Sequence, residues 1–229
     1  MSDWKAKRFW TDVTIAEVAG GFGIRLDGRV VRTPGKSELV VPTLGLARLI
    51  ADEWNAQTGV VDPRTMPSTR FANSAIEKVA NQHHEVADLL VQYGDSDLLC
   101  YRADSPAELV ARQSAVWDPY LDWAKTAFGA KLLWHVGVIH VPQDPANIAR
   151  LSNLVHAMTN FELAAFHDLV GLSGSLILGL AAVHRRATSD TLWLASRVDE
   201  IWQIEQWGAD DEATVQGDVK AAAFSAAYD

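Results

Sequence analysis

The sequence has one cysteine, no long apolar run and no excess of basic residues, and each shortage excludes a class of protein. The lone cysteine, Cys100, cannot form an intrachain disulfide, which suits a reducing compartment. It lies in the apolar run LLCYR, so we expect it to be buried rather than reactive. The most apolar run, Leu176 to Val183, is too short to cross a bilayer, and we expect no membrane insertion. A formal net charge of −9 argues against nucleic-acid binding and favours a basic protein surface as partner.

Motifs that bind nucleotides or metals are also missing. The chain contains neither a GxxxxGK[ST] phosphate loop nor a GxGxxG strand-to-helix junction. The segment GLSGS at 171–175 does not match the GxSxG spacing of a nucleophile elbow, and we interpret it as a helix break. His83 and His84 are adjacent and should point to different faces of a helix, whereas His156 lies on another predicted helix. We therefore expect no metal site, no cofactor and no catalytic residue.

The first third of the chain has the pattern of a small antiparallel sheet. Short β-branched runs, separated by glycine and proline, predict strands at 9–18, 22–26, 29–32 and 37–41. Asp27-Gly28 is a two-residue hairpin turn, because both positions of such a turn need positive φ. A helix is predicted after Pro42-Thr43. The segment TGVVDPRTMP, residues 58–67, has the composition of a linker.

After the linker the pattern is helical. One helix should begin near Ser105-Pro106 and end at Asp118-Pro119, where a second one follows. Residues 131–141 alternate and are interpreted as a short strand or an extended piece. The predicted fold class is α+β: a small N-terminal antiparallel β-sheet domain with a helix, residues 1–66, followed by a larger all-helical domain, residues 67–229.

The stretch SDTLWLASRVDEIWQIEQWG, residues 189–208, is predicted to form a single helix that carries three of the nine tryptophans. At about 100° per residue, Trp193, Glu200, Ile204 and Trp207 share one side, which places aromatic rings beside a carboxylate. Such a stripe is typical of a core helix that has one solvent-exposed face. The alternative is a protein-binding surface, where aromatic anchors lie beside charge.

Polar residues around the linker have two interpretations as well. Arg70, Asn73 and Glu77 lie at i, i+3 and i+7, where they could recognise an anion or peptide backbone, or join the two domains. We favour the joining role. Asp95 precedes an apolar run and is expected to cap a helix or pair with Arg70 or Arg102 rather than to catalyse.

Several stretches, taken together and in order, resemble the assembly chaperones of the F-type ATP synthase that act on the alpha subunit of its catalytic sector. They are KRFW, DGRVVRTPGK, PSTRFANSAIEKV, DSDLLCYRADSPAELVARQSAVWDPYLDW, SGSLILGLA and RVDEIWQIEQWGADDE. The resemblance covers most of the chain and implies the same α+β architecture. No single stretch is a catalytic motif. The resemblance is specific because the stretches occur together, in this order and at this spacing.

The resemblance implies a protein that binds the free alpha subunit before the beta subunit arrives and so prevents its aggregation, without enzymatic activity. It implies a mitochondrial or alphaproteobacterial source; because MSDWKAKRFW is not a presequence pattern, we expect the bacterial cytoplasm, or the mitochondrial matrix for a eukaryotic source. We expect a monomer. In the family an acidic position near the helix that ends in WG is associated with function, and Glu200, Glu205 and Asp210 are the candidates here. Trp193 and Trp207 complete the predicted client-binding set.

Two other classes of function remain open at this point. A small-molecule enzyme could use Asp95, Arg70 and a histidine as an acid/base site in an interdomain cleft, which would require a deep pocket with perturbed titratable groups. A structural adaptor would stay permanently bound in a complex. A broad groove of exposed apolar and aromatic side chains favours the chaperone over the enzyme, and a weak, salt-sensitive association argues against the adaptor.

Overall fold

The computed structural model describes residues 7–229, so the first six residues of the predicted N-terminal domain lie outside the described range. The chain divides into two compact units, one ending at Gln82 and the other spanning His83–Asp229. The strands are β1 Val13–Val18, β2 Gly21–Leu26, β3 Arg29–Val30, β4 Val40–Val41, β5 Tyr101–Arg102 and β6 His135–Val136. The α-helices are α1 Leu44–Ala56, α2 Pro67–Glu77, α3 His83–Asp95, α4 Ala107–Phe128, α5 Pro145–His156, α6 Asn160–Ser173, α7 Leu176–Val183, α8 Ser189–Ala195, α9 Val198–Trp207 and α10 Asp211–Tyr228.

The N-terminal unit is built on the antiparallel sheet that the sequence predicts. β2 pairs with β1 on one side and with β3 and β4 on the other. The turn between β2 and β3 is the predicted hairpin, with φ of +47° at Asp27 and +78° at Gly28. The Asp27 carboxylate accepts hydrogen bonds from the Thr11 and Asp12 N–H groups, which hold the pKa of that carboxyl below its usual value. The predicted fold class is confirmed.

The boundary between the two units differs from the predicted division at residues 66 and 67. The Glu53 carboxylate on α1 accepts from the Ser68 N–H at 2.6 Å and from the Thr69 N–H at 2.8 Å. These are first-turn amides of α2 that lack a partner within their own helix. Because α1 supplies their acceptor, α2 belongs to the N-terminal unit, and the predicted linker contains an ordered 3-10 turn at Pro63–Thr65.

The C-terminal unit surrounds α7, whose residues Leu176 to Ala182 are all buried. The apolar run is therefore the centre of a core, packed among α3, α4, α6 and α8. Asp97 is buried beside it: its carboxylate accepts from the Ser175 hydroxyl at 2.7 Å and from the Ile177 N–H at 3.0 Å. Burial raises the pKa of Asp97 to about 6, against the opposing effect of these donors. Cys100 is buried, and burial raises the pKa of its thiol.

Two predicted helix boundaries in this unit are wrong. α4 continues through Pro119, because Trp117, Leu121 and Ala124 form one buried face on both sides of the proline. The predicted helix at 189–208 is instead α8 and α9 with a break at Ser196 and Arg197.

None of the helices described between residues 7 and 229 has the length and apolar content needed to cross a bilayer.

Candidate functional site

An apolar segment at residues 133–141 is exposed in the C-terminal unit. Its exposed large side chains are Leu133, Trp134, Val136, Val138, Ile139 and Val141. Val138 and Ile139 are the most open, at 90% and 80% exposure. Contiguous apolar surface of this kind usually marks a site of protein–protein contact.

The segment is held in place by Arg102. β6 pairs in parallel with β5, and the Gly137 N–H donates to the Arg102 carbonyl at 2.9 Å. The Arg102 guanidinium pairs with Asp118 at 2.8 Å and lies over the rings of Trp117 and Trp134 at 5.2 and 5.5 Å. Its side chain is almost fully buried. The exposed segment therefore begins from a rigid anchor. Gly137, with φ of +93°, turns the chain so that the next two side chains point outward.

A groove of about 460 Å³ lies between this segment, the chain around Tyr101–Pro106 and α9. Its lining residues are Tyr101, Arg102, Ala103, Asp104, Ser105, Pro106, Leu109, Gln113, Gly137, Val138, Asp199, Trp202, Gln203 and Trp207. We call this feature the apolar groove. Val138 stands on one side, and Trp207 at the end of α9, with 78% of its surface exposed, stands on another.

Hydrogen bonds from α4 fix the floor of the apolar groove. The buried Gln113 side chain accepts from the Ala103 N–H at 2.9 Å and donates to the Asp199 carboxylate at 2.7 Å. It thus ties the loop after β5 to the start of α9.

A bidentate ion pair joins α4 to α9 beside Trp202, which lines the apolar groove. Arg112 contacts both Glu205 carboxylate oxygens, at 2.8 and 2.9 Å, and its guanidinium lies 5.0 Å from the centre of the Trp202 ring. The hydrogen bond from Arg112 lowers the pKa of Glu205. Glu205 is therefore a charged residue held in position at the edge of an aromatic surface.

The break between α8 and α9 separates the residues that the sequence analysis placed on one stripe. Trp193, on α8, is half-buried 5.8 Å from the Phe224 ring, with Arg197 over its face. Glu200 on α9 pairs with Arg197 at 2.7 Å and is partly exposed. Asp210 caps α10 by accepting from the Ala213 N–H at 2.7 Å. Of the predicted client-binding residues, Trp207 lines the apolar groove, and Glu205 pairs with Arg112 on α4.

The polar residues predicted to join the domains lie as follows. Arg70 is exposed and Asn73 half-buried on α2, in the N-terminal unit; their predicted role stays a prediction. Asp95 ends α3, where its carboxylate accepts from the Gln143 N–H at 2.7 Å and pairs with His140 at 3.1 Å. The predicted pairing of Asp95 with Arg102 is wrong, because Arg102 is bound to Asp118.

The histidines are also arranged differently from the sequence expectation. One ring nitrogen from each of His83, His84 and His156 lies within 4.8 Å of the other two. These residues were predicted to lie apart, because the contact between the end of α5 and the start of α3 joins segments that are distant in sequence.

The apolar groove was not predicted, because the alternation at 131–141 was interpreted as a short strand or extended piece. The structure gives this stretch only the two-residue strand β6. The available signal was composition: LWHVGVIHV, residues 133–141, has six large aliphatic or aromatic side chains and no Asp, Glu, Lys or Arg.

Comparisons with known proteins agree on one family. A family model described as ATP12 chaperone protein matches residues 7–125. The crystal structure of Atp12 from Paracoccus denitrificans is 50% identical, with a TM-score of 0.95 over 99% of this chain and 97% of that chain. A structure from Agrobacterium tumefaciens is 43% identical, with a TM-score of 0.93 over 97% of this chain and 84% of that one. Protein atp12, mitochondrial, of Schizosaccharomyces pombe is 25% identical over 219 residues, 90% of this chain and 75% of the relative.

Proposed function

Because the chain belongs to the ATP12 family of ATP synthase assembly chaperones, we propose that it binds the free alpha subunit of the catalytic sector and covers its assembly surface until the beta subunit replaces it. The observation that carries the proposal is the apolar groove, where Val138 and Trp207 are exposed beside fixed charges. The stretches that resemble alpha-subunit chaperones include the chain around Arg102 and the whole of α9.

The groove has the parts that a transient protein interface requires. Val138, Trp202 and Trp207 provide apolar and aromatic surface, and burying it against a client supplies the favourable free energy of binding. Asp104 and Asp199 add negative charge at the same surface, which favours a basic client patch and rapid association. The chaperone makes and breaks no covalent bond in this function.

Release follows from competition. The sequence contains no phosphate-binding loop motif, so we derive release from the beta subunit binding the same alpha-subunit surface more tightly. One chaperone binds one alpha subunit. The alpha subunit does not bind the chaperone and the beta subunit at the same time.

The binding surface is tested with purified free alpha subunit and single substitutions. Trp207→Ala and Val138→Ser should each weaken binding about tenfold or more, as truncation of an interface hot spot does. Both side chains are exposed, so the melting temperature should stay within about 1–2 °C of wild type, since exposed substitutions change stability little. Biolayer interferometry and differential scanning calorimetry measure the two quantities.

Leu89→Ala is the matched control, because Leu89 is an exposed apolar residue on α3 outside the groove lining. It should bind like wild type. If the Val138→Ser/Trp207→Ala double variant binds the alpha subunit as tightly as the control does, the groove is not the client site.

A further inference from the structure

Three imidazoles from two helices meet at one end of the α3–α5 pair. His83 and His84 open α3, and His156 is the last residue of α5. The His84 and His156 rings lie 5.4 Å apart, centre to centre, with an angle of 36° between them, and the His83 ring is 5.8 Å from that of His84. Neither the proposed client function nor the core of the unit uses this cluster, which we call the histidine triad.

Hydrogen-bond acceptors around the histidine triad determine which ring nitrogens carry a proton and which carry a lone pair. The His83 Nε2 lies 2.9 Å from the Met158 carbonyl, which can only accept, so this nitrogen carries the proton. The His156 Nε2 likewise lies 2.9 Å from the Asp88 carboxylate and donates to it. In each neutral ring the lone pair is then on Nδ1. A histidine whose second nitrogen donates to a carboxylate or carbonyl is the arrangement found around protein-bound zinc.

We propose that the histidine triad binds a divalent transition metal ion of the Zn²⁺ class. Imidazole nitrogens suit Zn²⁺, Ni²⁺ and Cu²⁺, whereas Mg²⁺ and Ca²⁺ require oxygen ligands. Metal–nitrogen bonds of about 2.0–2.1 Å put tetrahedral ligands about 3.3 Å apart, and one ring nitrogen of each histidine already lies within 4.8 Å of the other two. Side-chain rotation closes the remaining distance, because His84 is exposed and His83 and His156 are only half-buried.

Three protein ligands leave a fourth position for water or another donor, which makes the site open rather than enclosed. The bound ion would connect the start of α3 to the end of α5. It should stabilise the C-terminal unit increasingly, with the logarithm of its free concentration above the dissociation constant, because a ligand that binds only the folded state shifts the unfolding equilibrium.

The test uses the full chain with any affinity tag removed, titrated with ZnCl₂ by isothermal calorimetry and with CoCl₂ by visible absorption. Wild type should bind one equivalent of Zn²⁺, give tetrahedral Co²⁺ bands and melt at a higher temperature with added Zn²⁺. His84→Ala should weaken binding at least tenfold without changing the metal-free melting temperature. Asp88→Asn, which alters only the outer partner of His156, should weaken binding about 10- to 100-fold.

His167→Ala is the control, because His167 pairs with Asp168 on α6, away from the triad. It should leave Zn²⁺ affinity unchanged. The inference is overturned if wild type binds no Zn²⁺ at about 1 mM, or if His84→Ala and Asp88→Asn bind it as tightly as His167→Ala does.

Discussion

At the scale of single residues, a few buried polar side chains determine where the exposed ones point. Arg102 and Gln113 are almost inaccessible, yet each hydrogen-bonds to the segments that carry the apolar groove. A buried polar group is stable only when it has partners, so these two residues restrict the loop after β5 to one arrangement. The exposed Val138 and Trp207 are therefore presented by a rigid framework.

Asp97 provides a residue-scale prediction. Burial raises its pKa from an ordinary 3.8 to about 6. Between these values the folded protein keeps a proton that the unfolded chain releases. The stability contributed by this carboxyl is thus complete below about pH 4 and is lost as the pH rises through about 6. Carbon-detected NMR titration of the side-chain carboxyl should give a midpoint near 6.

Glu205 serves as the internal comparison in the same titration, because Arg112 lowers its pKa below the usual 4.5. A midpoint near 4 for Asp97 would contradict the effect assigned to burial. Asp97→Asn should also remove the Asp97 contribution to the pH dependence of unfolding.

At the scale of secondary-structure elements, α7 depends on close packing against α6. A Cβ placed on Gly179 would lie 2.7 Å from Val170 Cγ2 and 2.9 Å from the Phe166 ring, and both side chains are buried. Gly179→Ala should therefore destabilise the protein by about 1–3 kcal/mol, although alanine is the better helix former.

Gly171→Ala is the matched control for that substitution. Gly171 is also helical, but nothing lies within 4 Å of its missing Cβ. This variant should be neutral or stabilised by up to about 1 kcal/mol. Urea denaturation measures both, and equal effects in the two variants would show that packing is not the cause.

The contact between α1 and α2 gives a second prediction at this scale. Glu53 accepts from two first-turn amides of α2 and from the Thr69 hydroxyl at 2.7 Å. Glu53→Ala leaves these donors without their acceptor, so unfolding should require about 1–3 kcal/mol less free energy. Thermal unfolding tests this, with Glu17→Ala on the exposed face of β1 as a control expected to match wild type.

Local sequence signals were sufficient where the cause of a structure is local. The Asp27-Gly28 turn and the start of α1 after Pro42-Thr43 depend on neighbouring residues and were predicted. The break between α8 and α9 was not predicted, because the residue that contacts it is distant in sequence. Trp117 donates from Nε1 to the Ala195 carbonyl at 2.7 Å, and so occupies the acceptor that a continuous helix would use for residue 199.

The candidate site was predictable only in part for the same reason. Trp207 was selected from the composition of one helix, and Glu205 from the resemblance to the chaperone family. The apolar groove also needs Val138 and the loop after β5, which are far away in sequence and meet α9 through Gln113. The histidine triad was missed because its members come from α3 and α5.

At the scale of the whole molecule, the net charge of the chain restricts the kinds of partner that it can bind. A formal net charge of −9 keeps the protein from nonspecific contact with nucleic acids and acidic surfaces. The Arg112–Glu205 ion pair lies beside Trp202, which lines the apolar groove. Such charges supply specificity, because a client of the wrong charge is repelled while the correct one is bound.

The central claim is that this surface holds the alpha subunit only until the beta subunit binds it. The most direct measurement is the mass of the species formed by the purified proteins, obtained by size-exclusion chromatography with multi-angle light scattering. The account predicts a one-to-one complex of chaperone and alpha subunit, and release of free chaperone as added beta subunit forms alpha–beta species. A persistent complex of all three proteins, or no complex with the alpha subunit, would contradict it.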